Sequence, residues 1–222
     1  MRLLILSDLH REVWRDAPSV ASDALSAYLP DLSISRPDVV VLAGDIDVGE
    51  RAVDWADETF PDLPVIYVHG NHEGYGHNLD SLRKHLAARC AATGHIHYLN
   101  RSELVVAGVR FLGATLWTDF HLLGSDHYQA SMEEARTKLN DYRRIRLASG
   151  GYRRIRPIDT IQWHGRDRLW LQERLNEPFQ GRTIVVTHMA PSVRSIPERY
   201  REQLISAAFA SNLEALVLKS DL

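Results

Sequence analysis

The sequence predicts an α/β fold, and three observations lead to that prediction. Short apolar runs without polar alternation recur along the chain, as is typical of strands buried on both faces of a sheet. Segments with apolar residues at helical spacing lie between these runs, which favours βαβ construction. Four of the runs end in side chains that can bind a metal ion, and they lie within residues 2–10, 38–45, 64–73 and 182–188.

The first apolar run, residues 3–6, is followed directly by two polar candidates, Asp8 and His10. These residues stand two apart, so a locally extended backbone would point both side chains to the same side, as two ligands of one metal ion require. The carboxyl end of a central strand is also where open α/β sheets keep their chemistry. For this pair alone, a turn beginning at Asp8 with His10 on the surface is an equally good interpretation.

Three further runs repeat this arrangement. The second run closes with Asp45, the third with Asn71 and His72, and the fourth with His188. Each run therefore delivers a hard or borderline metal ligand at the same end of a buried strand. Four such coincidences in chain order predict a metal site at that end of the sheet.

Helices are predicted between the strands. Residues 19–32, 49–59 and 78–92 have apolar side chains at helical spacing. Asp159 and Gln162 have the spacing of a capping box, and the residues that follow them form the apolar face of a longer helix. The helices and apolar runs therefore alternate along much of the chain.

The middle of the chain changes character. Residues 96–99, 104–107 and 109–113 are predicted to be short strands, with Gly108 marking a tight connection. These strands suggest a second sheet with antiparallel pairing.

The polar motifs resemble those of the calcineurin-like metallophosphoesterases, which carry DxH, then GD, then GNH[DE], then a lone histidine after an apolar strand. In this sequence they are Asp8-Leu9-His10, Gly44-Asp45, Gly70-Asn71-His72-Glu73 and His188. The resemblance covers essentially the whole length and implies one domain over residues 1–222. It also implies a four-layer α/β/β/α sandwich with two mixed sheets, whereas the periodicity alone supports only an α/β fold.

The resemblance also implies a division of the ligands between two metal ions. Asp45 bridges the two ions, because a carboxylate has two oxygens to give. Asp8 and His10 join Asp45 at the first ion, and Asn71 and His188 join it at the second. Neutral Asn71 keeps the site from becoming so anionic that it repels phosphate.

His72 and Asn71 are the predicted catalytic residues. By resemblance, His72 contacts the phosphate and the leaving-group oxygen, where an imidazolium can stabilise charge and donate a proton. The alternative is that His72 forms hydrogen bonds with the metal ligands and does not contact the phosphate. Glu73 is expected to orient a neighbouring group rather than to bind metal.

This chemistry predicts a metal-dependent phosphoesterase that hydrolyses phosphate mono- or diesters of small molecules by a metal-activated hydroxide. Two cations about 3.5–4 Å apart can clamp the attacking and leaving oxygens. Nitrogen and oxygen ligation permits manganese, iron or zinc. The rival interpretation is a catalytically weak or silent relative that keeps the fold for binding.

The sequence departs from the family pattern at one place. The family ends with a GHxH motif on a strand that follows a helix, and the sequence stops at Leu222 before any such strand. We therefore expect a domain that is C-terminally truncated relative to the family, with partial metal occupancy and low activity. We also expect self-association into a homo-oligomer through an open sheet edge beyond His188. His95 and His97 match GHxH in letters, but they are expected in a surface turn and not as ligands.

Composition and charge narrow the function classes. The 26 basic and 29 acidic residues give a net charge of −3, which gives no reason to expect nonspecific nucleic-acid or membrane binding. A single cysteine, Cys90, excludes an internal disulfide and fits a reducing cytoplasm. The apolar start is too short for a signal peptide, and no stretch approaches a membrane span. A cytoplasmic location is therefore predicted.

A local repeat adds a basic candidate site. The sequence YRRIR occurs at residues 142–146 and again at 152–156. Six arginines on a hairpin could form an anion-binding flap, since guanidinium groups suit phosphate geometry. A solvated face balanced by nearby acidic residues is the alternative. The predicted substrate-binding residues are Arg143, Arg144, Arg153 and Arg154, and the balancing acids of the alternative are Glu133, Glu134 and Asp141.

Overall fold

The computed structural model describes residues 1–15, 31–149 and 151–219. Its strands are β1 (Leu3–Leu6), β2 (Val39–Ala43), β3 (Val65–Val68), β4 (Ile96–Tyr98), β5 (Ser102–Val106), β6 (Val109–Ala114), β7 (Arg146–Leu147), β8 (Arg153–Arg154) and β9 (Arg182–Thr187). Its α-helices are α1 (Arg11–Arg15), α2 (Leu32–Ser35), α3 (Arg51–Thr59), α4 (Leu79–Thr93), α5 (Tyr128–Lys138), α6 (Asp141–Arg144), α7 (Pro157–Asn176) and α8 (Glu214–Lys219). The helix predicted over residues 19–32 lies outside the described residues up to position 30.

The first four strands form one sheet in the order β1-β2-β3-β4, and every neighbouring pair is parallel. In the register of β2 and β3, Val41 lies opposite Ile66. Parallel neighbours need a crossover between them, and α3 and α4 provide two of these crossovers. The helices predicted over residues 49–59 and 78–92 are therefore confirmed.

The strand predicted over residues 96–99 belongs to this first sheet, so its assignment to an antiparallel second sheet is wrong. It is β4, which follows α4 and pairs in parallel with β3, with Ile96 opposite Val65. A strand that follows a crossover helix returns parallel to the strand before the helix. The apolar pattern of a three-residue strand carries no information about its partner.

The predicted burial on both faces is confirmed for β2 and β3 but is wrong for β1 and for β9, in which Val185 is 39% exposed. All four residues of β3 are fully buried, whereas Ile5 in β1 is 63% exposed. β1 ends the strand order of the described sheet. A strand at the end of a sheet has one neighbour, so part of its surface faces solvent.

The second sheet has the order β5-β6-β9. β5 and β6 are antiparallel, as predicted, and they are joined through Ala107 and Gly108, which both have positive φ. β9 pairs in parallel with β6, with Thr187 opposite Ala114. The strand that leads to His188 therefore lies in the second sheet. Self-association through a sheet edge stays a prediction.

The two sheets pack face to face. Their shared interior contains buried side chains from both, including Val39, Val41, Ile66, Val68, Phe111 and Val186. Val40, Leu42 and Tyr67 on the opposite face of the first sheet pack in one core with α3 and α4. On the outer face of the second sheet, α7 packs through Trp163 and Leu171. This is the predicted α/β/β/α sandwich. The prediction of two mixed sheets is wrong for the first sheet, whose described strands are all parallel, and right for the second.

The start of α7 differs from the prediction. The helix begins at Pro157 with Arg156 as its N-cap, so Asp159 is the third helical residue and not the cap. The Asp159 carboxylate reaches back and accepts a hydrogen bond from the Arg156 N–H at 2.7 Å. Proline suits the first helical position, where a missing N–H costs nothing. The predicted capping box with Gln162 therefore begins three residues too late.

Candidate metal centre

The loops after β1 and β2 run side by side and carry the first candidate ligands. The Asp8 N–H donates to the Gly44 carbonyl at 3.1 Å, and the His10 N–H donates to the Asp45 carbonyl at 3.0 Å. Asp8 and His10 have φ angles of 55° and 46°. The expectation of an extended backbone at these residues is therefore wrong, because hydrogen bonds to the neighbouring loop hold the backbone in the left-handed region.

The structure nevertheless brings Asp8, His10 and Asp45 together. One ligand atom of each lies within 4.8 Å of the others. His10 Nε2 lies 3.8 Å from Asp8 Oδ1, and Asp45 is buried beneath the two. Two carboxylates and an imidazole suit a borderline divalent metal.

Asp45 also meets the second set of candidates. His188 Nε2 lies 2.9 Å from Asn71 Oδ1 and 3.4 Å from Asp45 Oδ1. His188 Nδ1 lies 2.9 Å from the Ala43 carbonyl. A carbonyl can only accept, so Nδ1 carries a proton, and Nε2 is the atom that faces the oxygens.

The electrostatics of His188 indicate that a cation fits at this point. Burial opposes a charge on the imidazole, but the negative charges of Asp45 and Glu73 outweigh it and raise the pKa of His188. A proton on Nε2 therefore neutralises the cluster of oxygens around it. A divalent metal bound by the same atoms would do so more completely, and the residues present fit such a group.

Two glycines permit the close approach of these loops. Gly44 has a φ of 91°, and a Cβ there would lie 2.5 Å from His188 Nδ1. A Cβ on Gly70 would overlap Asp45 Oδ1 and lie 2.7 Å from the Asp45 nitrogen. Both positions therefore require glycine, because a Cβ would collide with the neighbouring loop. Gly44 is also required because its φ is positive.

Glu73 ties the same loops together. Its fully buried carboxylate accepts hydrogen bonds from the N–H groups of Asp45 at 3.1 Å, Ile46 at 3.0 Å and Gly70 at 2.8 Å. Burial and then the charge of Asp45 raise the pKa of Glu73 to about 7. Glu73 contacts the backbone of the candidate ligands, in keeping with the expectation that it orients its neighbours.

Asp141 is a site residue that the sequence reasoning missed. Its Oδ1 accepts hydrogen bonds from Asn71 Nδ2 at 2.9 Å and from the Tyr75 hydroxyl at 2.6 Å. This arrangement turns the Asn71 oxygen toward His188. Asp141 is buried and burial raises its pKa, so it is not one of the acids that balance the exposed arginines.

Glu12 is the second missed residue. Its Oε1 lies 2.6 Å from His72 Nδ1, so that nitrogen donates to the carboxylate. Burial opposes the charge on Glu12, but hydrogen bonds with His10 and His72 lower its pKa to about 2. His10, Glu12 and His72 form a further group of candidate ligand atoms. The local signal was the short spacing from His10 to Glu12, on the first turn of α1.

His95 and His97 do not join either group of candidate ligands found in the described part of the chain. Gly94, with a φ of 80°, ends α4, and His95 follows it with Nδ1 3.3 Å from the Thr93 carbonyl. His97 lies on β4. The chain therefore turns at Gly94, as expected, and His97 lies in the strand predicted over residues 96–99.

The four predicted substrate-binding arginines are divided between two places. The Arg144 guanidinium lies 4.7 Å from the centre of the Tyr75 ring, and that ring lies 4.2 Å from the His72 ring. Arg143, Arg153 and Arg154 line a separate open cavity. Only Arg144 approaches the candidate metal centre through these contacts.

Comparison with known proteins finds similar sequences. A family model described as calcineurin-like phosphoesterase matches residues 1–217. An uncharacterized protein of Acanthamoeba polyphaga mimivirus is 26% identical over 133 residues, which are 57% of this chain and 45% of that protein. This chain therefore spans less than half the length of that relative.

Two solved structures have a similar fold. A phosphopantetheinyl hydrolase from Mycobacterium tuberculosis has a TM-score of 0.63 at 16% identity, over 95% of this chain and 76% of that one. A dimetal phosphatase from Danio rerio has a TM-score of 0.41 at 16% identity, over 97% and 76% of the two chains. The first likeness supports the fold alone. Within residues 1–15, 31–149 and 151–219, the helices are too short or too polar to cross a bilayer.

Proposed function

The chain belongs to the calcineurin-like phosphoesterase family, and from this we propose that it hydrolyses phosphate mono- or diesters of small molecules with the help of two divalent metal ions. The observation that carries the proposal is the meeting of Asp8, His10 and Asp45 on one side and of Asn71 and His188 on the other. Asp45 belongs to both groups and is the proposed bridge.

Asp8, His10 and Asp45 would hold the first ion, and Asp45, Asn71 and His188 the second. When bound, such ions supply a hydroxide at neutral pH and neutralise charge on the phosphate oxygens. Manganese, iron and zinc all suit these nitrogen and oxygen donors. Asn71 contributes a neutral oxygen, and its amide orientation is set by Asp141.

His72 is the proposed proton donor to the leaving group. Its Nδ1–H is held by Glu12, which leaves Nε2 facing the site, 3.8 Å from Asp45 Oδ2. In the imidazolium form, Nε2 can donate a proton to a departing alkoxide or phenoxide oxygen. Glu12 fixes the orientation of the His72 ring.

We also propose that residues 1–222 act as one domain in the cytoplasm. The first and second sheets share one buried interior, which supports a single unit. Cys90 is buried and unpaired, which suits a compartment where thiols stay reduced.

Replacement of the proposed bridge tests the function. We expect Asp45→Asn to abolish hydrolysis of p-nitrophenyl phosphate and bis(p-nitrophenyl) phosphate and to lower the metal content at both sites. Asp8→Asn should lower it at one site. Asp167→Asn is the matched control, since Asp167 is also buried but bonds Arg101 and the Leu116 N–H. Undiminished activity in Asp45→Asn contradicts the proposal, and bound metal without turnover on any ester favours a binding role.

A further inference from the structure

An open cavity of about 620 Å³ lies beside the hairpin of β7 and β8 and is lined mainly by arginines. The arginines come from α5, α6, β8 and the residue before α7. They are Arg136, Arg143, Arg153, Arg154 and Arg156. Such a density of one charge in a concave surface is unusual, because like charges repel one another.

The repeat YRRIR builds this cavity. Ile145 and Ile155 are the buried members of the two copies, and the Ile155 N–H donates to the Ile145 carbonyl at 3.1 Å. Tyr142 is also buried, with its hydroxyl 3.4 Å from Thr160 Oγ1. These contacts anchor both copies on the protein. Arg143, Arg153 and Arg154 lie between these anchors and surround the same opening.

Acidic side chains neutralise only part of the charge. Arg136 pairs with Glu133, and Arg153 forms two hydrogen bonds of 2.7 Å with Asp159. Of the other two acids considered as balancing groups, Glu134 pairs with Lys138, and Asp141 is buried beside Asn71.

The positive charge of the remaining three arginines is not neutralised by an ion pair with an acidic side chain of the described residues. Arg143 donates to the Thr137 carbonyl, which is neutral. Arg154 and Arg156 form no ion pair with an acidic side chain of the described residues. Five guanidinium groups thus face two carboxylates, and three positive charges remain in the cavity.

We propose that this cavity binds a phosphate-type oxyanion, separate from the phosphate group at the metal centre. Guanidinium groups form paired, charge-assisted hydrogen bonds with phosphate oxygens, and an anion of two charges would relieve the repulsion among them. A neutral ligand would not relieve this repulsion.

The position of the cavity favours a second phosphate group of the substrate as its occupant, an assignment that rests on the proposed function. Arg143 and Asp141 stand two positions apart on the short helix α6, so their side chains leave opposite sides of one helical turn, which is about 10–12 Å across with side chains. Asp141 in turn bonds Asn71 of the metal centre at 2.9 Å. The implied substrate class is a phosphoester that carries a further phosphate.

Binding of inorganic pyrophosphate tests the cavity without any need for turnover. Isothermal titration calorimetry is performed on the full chain carrying Asp45→Asn, which removes the proposed metal bridge. We expect one pyrophosphate per chain, with affinity that falls about tenfold or more when Arg154→Gln and Arg156→Gln are added, because charge-assisted hydrogen bonds are lost. The control pair Arg166→Gln and Arg168→Gln removes the same charge from exposed positions on α7 and should leave the affinity unchanged.

Two results would overturn the proposal. One is the absence of pyrophosphate binding in the Asp45→Asn chain, and the other is equal loss of affinity in the cavity pair and the control pair. Neither depends on whether the chain is an active phosphoesterase, so failure of the cavity is distinguished from failure of the proposed function.

Kinetics then assign the source of the anion. Thymidine 5′-p-nitrophenyl phosphate is compared with the same ester carrying a 3′-phosphate, using the metal-loaded protein. If the substrate supplies the anion, the 3′-phosphate lowers KM, and Arg154→Gln with Arg156→Gln reduces the ratio of the two KM values toward one. If pyrophosphate binds but the 3′-phosphate changes nothing, the cavity binds a separate anion and the proposed substrate class is overturned.

Discussion

Replacement of Asp141 tests whether a buried carboxylate outside the predicted ligand set controls the second metal position. Asp141 Oδ1 accepts from Asn71 Nδ2 at 2.9 Å and from the Tyr75 hydroxyl at 2.6 Å. The other end of the Asn71 amide, Oδ1, lies 2.9 Å from His188 Nε2. In Asp141→Ala the amide loses its anchor and can present either end to the site. In Asp141→Asn an oxygen acceptor remains.

The expected magnitude follows from these contacts. Loss of a group that orients a ligand typically weakens metal binding by about 10–100-fold, which corresponds to roughly 1.4–2.8 kcal/mol. We expect a loss in this range for Asp141→Ala at one of two sites. The loss in Asp141→Asn should be smaller, because a neutral acceptor forms hydrogen bonds about half as strong as those of a carboxylate.

The variant should also lose stability. Asp141→Ala leaves the buried Tyr75 hydroxyl without an acceptor and leaves the Asn71 amide only a 3.4 Å contact with the Tyr75 oxygen, at a cost of about 1–3 kcal/mol. For a chain of this size, each 1 kcal/mol lowers Tm by about 2–4 °C. Metal binding must therefore be measured well below Tm, so that unfolding does not lower the measured affinity.

The assay is competition for Mn²⁺ or Zn²⁺ between the stripped protein and a chromophoric chelator, fitted with two sites. Asp167→Ala is the matched control. Asp167 is equally buried and bonds Arg101 at 2.8 Å and the Leu116 N–H at 3.0 Å, away from the candidate ligands. The reasoning is refuted if Asp141→Ala binds both metals as tightly as Asp167→Ala does.

Two further predictions concern a proton donor and a surface ion pair. His72→Ala should cost about 10²–10⁴-fold in rate on esters with poor leaving groups, as loss of a general acid typically does, and less on nitrophenyl esters. Metal content should be unchanged, whereas its loss would make His72 a ligand together with Glu12. Burial opposes the charge on Asp159, but hydrogen bonds with Arg153 and the Arg156 N–H lower the pKa of Asp159 below its ordinary value of 3.8. The ionised carboxylate therefore stabilises the fold above pH 3.8, and this stabilisation is lost as the pH falls through the lowered pKa. Asp159→Asn should therefore lower Tm at pH 7, and a difference in Tm that persists undiminished at the lowest pH would contradict the assignment.

The local pattern of apolar residues was sufficient to predict most of the strands and the polar residues that follow them. The runs that become β2 and β3 are apolar because both of their faces are covered, and that requirement is visible without any partner. His188 follows its strand directly, and Asp45 and Asn71 stand within three residues of the ends of β2 and β3. Chain order and the carboxyl ends of strands then place candidate ligands at one edge, whatever the arrangement of the sheets.

The assignment of strands to sheets required the tertiary structure. The short run from Ile96 to Tyr98 fits an edge of either sheet, and only the crossover through α4 places it beside β3. The strand before His188 pairs with β6 in the second sheet, although its sequence resembles those of the first. Apolar patterning reports burial, but it does not report which of two packed sheets provides the neighbour.

Within the site, the sequence by itself determined the residues that lie next to strand ends, and the tertiary structure decided their supporting contacts. Glu12 reaches His72 across 60 positions, and Asp141 reaches Asn71 across 70. Neither partner is marked by periodicity or by a motif, because a hydrogen bond between distant segments depends on how the segments pack. The left-handed backbone at Asp8 has the same origin, since its hydrogen bond to the neighbouring loop exists only after β1 and β2 have paired.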